Sequence, residues 1–383
     1  MTRSSRRVAL VTSSFAPHFG GVEEHVAQVA RELQARGNIV EVWTVDRGLR
    51  PTDRFVGAEG VPIPVRYLKT PLPARTPAAV VRFALRGPVA WASWLRAARR
   101  LRPQILHVHC FGPNGVYAER LARTTGVPLI VTSHGETLGD DSGVYGRSAL
   151  LRSSLRRALA LASSATAPSN VVLDDLRRNY GLEGGEAIPN GVDLTVSATK
   201  RPGQGRPYLF AVGRWGAQKG FDLLIRAFTA ANVPELDLVI GGDGPLRADL
   251  ERQIALADLG SRVRMPGRLS PQEVASWMAG AAAVVVPSRQ ESFGIVALEA
   301  WRAGAPLIMT SRGGASDFVR DQEDGLLVDP MDHAALRAAL ERVAADAALR
   351  DRLGRNGRAR VTEFTWSRVV DAYAHLYVTA MGE

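Results

Sequence analysis

The sequence predicts an α/β protein made of two doubly wound, Rossmann-like domains facing across a cleft. Short apolar runs rich in Val, Ile and Leu alternate with stretches of helical spacing. A polar segment rich in Gly and Pro, VSATKRPGQGRP at 196–207, interrupts that rhythm, and the same alternation then restarts. At 383 residues the chain exceeds one ordinary core and suits two of under about 200 residues each.

The elements follow in order. RVALVTSSF (7–15) reads as a first strand; its apolar run is too short for a signal peptide and is cut by Pro17. EEHVAQVARELQARG (23–37) carries Val26, Val29, Ala30 and Leu33 at helical spacing and ends on Gly37. NIVEVWTVD, ILHVHC (105–110), PLIVTSH (128–134) and SATAPS (164–169) are further strands, with helical segments between the later ones. After the linker come PYLFAVGR, a helix near 219–231, LDLVIGGDG, a helix near 245–259, VRMPGRL, AAVVVPS, GIVALEAWRAG as a helix, PLIMTS and DGLLVDP. Such βαβα order argues parallel sheets, whose ligands bind beyond the carboxyl ends of the strands. The predicted domains are 1–195 and 196–365, with the apolar segment 366–383 read as a helix that either crosses back to the first domain or packs in the second.

Composition excludes several classes. The single cysteine, Cys110, rules out a disulfide scaffold and suits a reducing cytoplasm. No stretch reaches the roughly 18 apolar residues of a membrane span. Net charge is 48 − 38 = +10. Residues 1–195 hold 25 basic and 16 acidic residues, net +9, against 23 and 22, net +1, for 196–383. The basic half suits an anionic partner: a phosphorylated acceptor, an anionic membrane surface or nucleic acid. It equally suits a soluble surface with no partner. No zinc-finger, RNP or helix-turn-helix signature supports nucleic acid. Only Lys69, Lys200 and Lys219 are lysine, so a functional lysine stands out.

Four stretches carry candidate chemistry, each with a plainer structural alternative. In FAPHFGGV, Gly20 and Gly21 separate a strand from a helix start, where backbone can approach an anion; the motif is not GxGxxG, and a simple turn is the alternative. VGRWGAQKG places Arg214 and Lys219 in a strand-to-helix loop, two cations suited to a diphosphate or simply to solvent. GGDGP (241–245) reads as a tight turn. ESFGIVALEAWRAGAP (291–306) sets Glu291 before a helix and Glu299 inside it, with the amides of Phe293, Gly294 and Ile295 at the helix start. Those carboxylates suit sugar hydroxyls, or one caps the helix while the other pairs with Arg289 or Arg302. No His, Cys or acidic cluster has metal-ligand spacing. Finally, 82–102 mixes Trp91, Trp94 and Leu95 with six arginines: a membrane-surface helix, or one that packs its tryptophans inward.

ESFGIVALEAWRAGAP resembles the glutamate–seven residues–glutamate signature of glycosyltransferase family 4, retaining enzymes of the GT-B fold. The resemblance runs along nearly the whole chain through HVHCFGPNG (107–115), TSHGE (132–136), APSN (167–170), IPNGVD (188–193), GRWGAQKG (213–220), GGDGP, Gly267–Arg268, Gly313–Gly314 and DGLLVDP (324–330). It implies a metal-independent retaining hexosyltransferase that uses a nucleotide diphosphate sugar, UDP-linked, as co-substrate and needs no cofactor. Glu299 would hold ribose hydroxyls and Glu291 the donor sugar. Arg214, Lys219 and the amides of Phe293, Gly294 and Ile295 would grip the diphosphate, with Gly20 and Gly21 closing from the first domain. Arg268 and Leu269 would border the base, and His134 would stand near the reacting sugar. Asp317 replaces the glutamate common after the Gly-Gly pair, which leaves the sugar's identity open. The acceptor is a hydroxyl of a natural-product sugar, an aminocyclitol or a lipid-linked glycan, and the expected location is cytoplasmic, with the inner membrane face as an alternative. Rival readings are a nucleotide-sugar epimerase or hydrolase on the same fold, and a non-catalytic basic binder of nucleic acid or membrane.

Overall fold

The computed structural model describes residues 5–15, 20–48, 54–55, 62–73, 77–139, 143–197 and 205–382. Most of the linker reading at 196–207, and residues 16–19 of the Gly20–Gly21 loop, lie outside them. The chain divides into two compact units, Met1–Pro189 with Trp366–Glu383, and Asn190–Thr365. That division falls a few residues before the Gly- and Pro-rich segment.

In unit 1 the order is β1 (Arg7–Thr12), α1 (Gly21–Ala35), β2 (Ile39–Val45), β3 (Arg54–Phe55), β4 (Ile63–Leu68), α2 (Pro77–Leu101), β5 (Ile105–His109), α3 (Pro113–Thr125), β6 (Leu129–Thr132), α4 (Val144–Arg147), α5 (Ala149–Leu161), β7 (Ser164–Ala167), α6 (Asn170–Tyr180) and β8 (Glu186–Ala187). The sheet runs β3-β4-β2-β1-β5-β6-β7-β8, parallel except for the β3–β4 pair. Near-continuous apolar strands such as Val8–Val11 and Ile105–Val108 are buried, as a sheet covered on both faces requires.

The α2 helix settles one alternative. Trp94 is buried against Trp43, ring centroids 5.8 Å apart and edge-on, and donates its indole N–H to the Lys69 carbonyl at 3.3 Å. Trp91 packs partly buried on the same core, under the Arg120 guanidinium at 4.4 Å. The tryptophans therefore face inward.

Unit 2 contains β9 (Tyr208–Arg214), α7 (Phe221–Ala230), β10 (Asp237–Asp243), α8 (Arg247–Leu256), β11 (Val263–Gly267), α9 (Pro271–Gly280), β12 (Ala283–Val286), α10 (Ile295–Ala303), β13 (Leu307–Thr310), β14 (Leu326–Val328), α11 (His333–Ala345) and α12 (Ala347–Arg360). Its strands are parallel in the order β11-β10-β9-β12-β13-β14. Chain order reverses between β9 and β12, the switch point at which open α/β sheets offer a crevice.

The last helix, α13 (Trp366–Met381), belongs to unit 1. Arg36 at the end of α1 reaches Asp371 at 2.6 Å and the Ser367 carbonyl at 2.8 Å. Deeper in, Tyr377 meets His107 Nδ1 at 2.7 Å, and His107 Nε2 meets Thr132 Oγ1 at 2.7 Å. Thr132 continues to Thr166 at 2.6 Å, so one buried hydrogen-bonded chain ties α13 to β5, β6 and β7. Burial, helped by the nearby His25, lowers the His107 pKa to about 3 and keeps this ring neutral.

Truncating Trp94 removes the largest side chain between α2 and the sheet. Trp94→Ala should destabilise unit 1 by about 3–5 kcal/mol. Urea unfolding should then show a separate early transition, and a single unshifted transition would contradict that packing role.

Candidate functional site

At the β9–β12 switch point two strand-end loops lie against each other. After β9 the chain turns through a 3-10 segment, Ala217–Lys219, to Gly220 at φ +66°. A Cβ on Gly220 would stand 2.0 Å from the Pro287 carbonyl oxygen just after β12, so only glycine permits the approach. The loops are then stitched together. The Arg289 amide donates to the Gln218 carbonyl at 2.8 Å, and the Arg289 guanidinium donates to the Ala217 carbonyl at 2.6 Å. The same guanidinium grips both Asp222 oxygens at 2.7 and 2.6 Å. Burial alone pushes the Asp222 carboxyl up, but the Arg289 hydrogen bonds and charge, with two backbone amides, outweigh it and hold the pKa low.

This stitching brings Lys219 to Glu291. Lys219 Nζ donates to Glu291 Oε2 at 2.7 Å, and Ser288 Oγ donates to the same oxygen at 2.9 Å. The sequence alternative that paired a glutamate with Arg289 fails for Glu291, because Arg289 is engaged by Asp222. The Glu291 backbone is fixed from the far side. Its amide donates to the Arg312 carbonyl at 3.0 Å and its carbonyl accepts from the Gly314 amide at 2.9 Å. Gly313, at φ +119°, passes so close that a Cβ would stand 2.0 Å from the Glu291 oxygen.

Helix α10 begins immediately beyond. Gly294 is its N-cap and no side chain caps it. The Ala297 amide of its first turn donates to the Gly294 carbonyl at 2.9 Å, and the amides before it stand at the positive end of the helix dipole. Phe293 turns its ring into the core, stacked on Phe318 at 4.2 Å, so only its amide is available to a ligand. Glu299 lies about one turn inside α10, partly buried. Arg214, at the end of β9, has an exposed side chain. Arg268 is exposed after β11, while Leu269 packs against Gly241 at the end of β10. Asp317 sits exposed on a 3-10 turn, Gly314–Asp317. Every one of these residues, in sequence blocks far apart, lies at or beyond a strand's carboxyl end.

Three of the expected residues belong to unit 1. Gly20 and Gly21 open α1, where Glu23 and Glu24 already occupy the first turn and supply negative charge to that helix end. His134 follows β6. Its loop is shaped by Glu136, which accepts from the Phe111 amide at 2.7 Å, the His134 amide at 2.7 Å and Ser133 Oγ at 2.9 Å. Burial raises the Glu136 carboxyl pKa despite these bonds. Sequence reasoning gave no role to Glu136, Ser288 or His25. Among the described residues, His25, His109 and His134 form a group able to hold a metal ion, although their sequence spacing gave no such signal.

Switch-point loops that collect a lysine, a carboxylate and an uncapped helix start suit an enzyme that transfers a group away from an anionic carrier. Residues 19–196 match the family described as Glycosyltransferase Family 4, and residues 196–360 that described as Glycosyl transferases group 1. A D-inositol 3-phosphate glycosyltransferase of Acidothermus cellulolyticus is 30% identical, over 99% of this chain and 91% of its own. Sucrose-phosphate synthase of Thermosynechococcus elongatus has a similar structure, with a TM-score of 0.80 at 24% identity, covering 97% of this chain and 98% of that one. Anabaena HepE, solved with UDP-glucose, has a TM-score of 0.75 at 18% identity, covering 96% and 98%. The chain belongs to glycosyltransferase family 4, and both of its units carry that family's Rossmann-like, GT-B-type fold.

The Gly313 contact gives a direct test of the loop geometry. Gly313→Ala should cost about 1–3 kcal/mol from strain at positive φ, with the carbonyl clash added. Calorimetry of the variant should show that loss. An unchanged melting temperature would mean that the backbone there tolerates a side chain.

Proposed function

We propose that the protein is a retaining hexosyltransferase that moves a sugar from a UDP-linked donor to an acceptor hydroxyl without a metal ion at the diphosphate. The Lys219–Glu291 pair beside the uncapped start of α10 carries this reading. The difficult step breaks the bond between the anomeric carbon and a diphosphate oxygen, which takes the electron pair. Lys219, Arg214 and the amides of Phe293, Gly294 and Ile295 supply positive charge and donors fixed before the reaction. Two cations and a helix dipole do for the diphosphate what a divalent ion does elsewhere. Glu291 accepts hydrogen bonds from donor-sugar hydroxyls, and Glu299 from the ribose. Retention follows from attack on the face the diphosphate leaves, with a phosphate oxygen taking the acceptor's proton. The UDP-glucose complex of HepE supports UDP as carrier.

An anionic acceptor, of the phosphorylated polyol class, suits the first half's net charge of +9. The inositol phosphate glycosyltransferase among the relatives supports it. A second contact is supported by α2. Val81, Leu85 and Val89 recur every four residues and are 59%, 72% and 71% exposed. Arg86, Arg96, Arg99 and Arg100 are exposed on the same helix, which contains no acidic residue. An apolar ridge with cations and no anions fits the surface of an anionic bilayer. No helix among the described residues is long and apolar enough to cross a membrane.

Lys219→Ala and Glu291→Ala should each lower turnover at least about 100-fold with the fold intact by circular dichroism. UDP-glucose at about 100 times its dissociation constant should stabilise the wild type by roughly 2.7 kcal/mol and neither variant comparably. Near-normal turnover in both variants would remove the donor-site reading, and an inverted product anomer by NMR would remove retention. For the membrane contact, the wild type should sediment with phosphatidylserine vesicles and not with phosphatidylcholine alone, and a Leu85→Asp/Val89→Asp protein should stay in the supernatant. Equal sedimentation of both proteins would sink that contact.

A further inference from the structure

The loop that carries His134 is gathered around one carboxylate. Glu136 Oε1 accepts from the Phe111 amide at 2.7 Å, and Oε2 accepts from the His134 amide at 2.7 Å and from Ser133 Oγ at 2.9 Å. Its own backbone amide adds a fourth hydrogen bond. Phe111 lies just after β5, whereas Ser133, His134 and Glu136 follow β6, so the carboxylate spans the ends of two adjacent strands.

Both ends of that span are anchored in turn. The Phe111 carbonyl accepts from Tyr145 Oη, and the Phe111 ring leaves no room for a Cβ on Gly115. On the other side Gly135, at φ +88°, turns the chain, and its amide donates to Ser133 Oγ at 3.2 Å. Thr137 Oγ1 then donates to Asp175 on α6 at 2.6 Å. The His134 ring meets His109 Nδ1 through Nε2 at 3.3 Å. His134 is therefore fixed at its backbone by Glu136 and at its ring by His109.

A carboxylate is a costly staple for this loop. Burial raises its pKa, and among the described residues no lysine or arginine pairs with it. Glutamine would fill the same volume without charge, but it has a single acceptor oxygen and would turn its NH₂ group toward one of the donors. Four donors on two oxygens need a group that only accepts. Stability alone is served poorly by an unpaired, partly buried charge. What the charge supplies is precision at His134, and a small misplacement of a group at a reacting centre costs on the order of 100-fold in rate.

We propose that Glu136 is a positioning residue of the transfer reaction, its carboxylate tying the His134 backbone to the end of β5. The proposal rests on the reading that sets His134 beside the reacting sugar, and no residue of unit 2 enters it.

The test measures steady-state turnover of the full chain with UDP-glucose as probe donor and inositol 3-phosphate as probe acceptor, together with UDP binding by calorimetry. Glu136→Gln should lower kcat about 30- to 100-fold, while KM for UDP-glucose and Kd for UDP stay within about threefold. Glu136→Asp, one methylene shorter but still an acceptor on both oxygens, should recover at least about tenfold of that loss. A residue that merely fills space would show the reverse order, with the isosteric glutamine nearer to wild type. His134→Ala should be at least as slow as Glu136→Gln. The double variant should be no slower than His134→Ala within about threefold, because Glu136 acts through His134. If Glu136→Gln fails to fold, Ser133→Ala, which removes one donor and leaves the charge, carries the same cycle with an expected loss of about three- to tenfold. Wild-type turnover in Glu136→Gln, glutamine faster than aspartate, or additive losses in the double variant would overturn the proposal while Lys219→Ala stayed as slow as the donor-site reading expects. His134→Ala with unimpaired turnover would remove His134 from the sugar, and the proposal with it.

Discussion

The chemistry assigned to unit 2 depends on two places where backbone meets backbone too closely for a side chain. Gly220 lies on the Pro287 carbonyl, and Gly313 on the Glu291 carbonyl. The first contact presses the loop after β9 onto the loop after β12. The second presses the loop after β13 onto Glu291. Between them Glu291 has no freedom left in its backbone, and its side chain meets Lys219 and Ser288 as a consequence. The Arg289–Asp222 pair does the same work from the outer side, fixing the 217–222 segment by two parallel hydrogen bonds. The three parallel strands that supply these loops are adjacent in the sheet, so the precision of the corner comes from strand pairing rather than from the loops themselves.

Unit 1 meets a different constraint. Its sheet carries polar side chains, His107, His109, Thr132 and Thr166, in a buried position where each needs a partner. For His107, Thr132 and Thr166 partners come from α13, more than 200 residues away in sequence. Tyr377 satisfies His107 and Tyr373 meets His25, while Trp366 lies edge-on to His25 at 5.3 Å. A helix that carries two tyrosines and a tryptophan toward such a cluster has more to bury there than an aliphatic helix would. That is a physical reason for the last helix to return to the first unit after the chain has completed the second.

Much of this was legible in the sequence, and the division between legible and not follows from range. The periodicities of 23–37 and of GIVALEAWRAG gave α1 and α10 because helical spacing is a property of neighbours. AAVVVPS and PLIMTS gave β12 and β13 for the same reason. The individual residues of the donor corner were also singled out, each as a cation, carboxylate or glycine in a loop after a strand. Their pairing was not visible. Lys219 and Glu291 are 72 positions apart and meet only because β9 and β12 are neighbours, a fact of topology that no local pattern encodes. The histidine group has the same character. His25 sat on a helix face read as apolar, and its distance in sequence from His109 and His134 hid the convergence. Trp91 and Trp94 show the opposite limit, since composition could not say which way an aromatic and basic helix turns, and packing against Trp43 decides it.

The Lys219–Glu291 pair is better understood as a holding arrangement than as a source of stability. Its partners keep side-chain exposures of 33% and 12%, so desolvation of the carboxylate offsets much of the attraction. Either charge alone in that corner would be costly: a lone lysine beside the positive end of α10 repels it, and a lone, mostly buried carboxylate lacks its strongest donor. Paired, they hold each other at the helix start while no anion is there. On the proposed donor-site reading, an arriving diphosphate would offer Lys219 a second, more highly charged acceptor without requiring the lysine to be desolvated anew. As Lys219 shared its protons with that anion, Glu291 would be left with acceptor capacity for hydroxyl groups carried on the same molecule. On that reading one salt bridge would couple the two halves of a nucleotide sugar, since what the phosphate took from the lysine, the sugar would return to the glutamate.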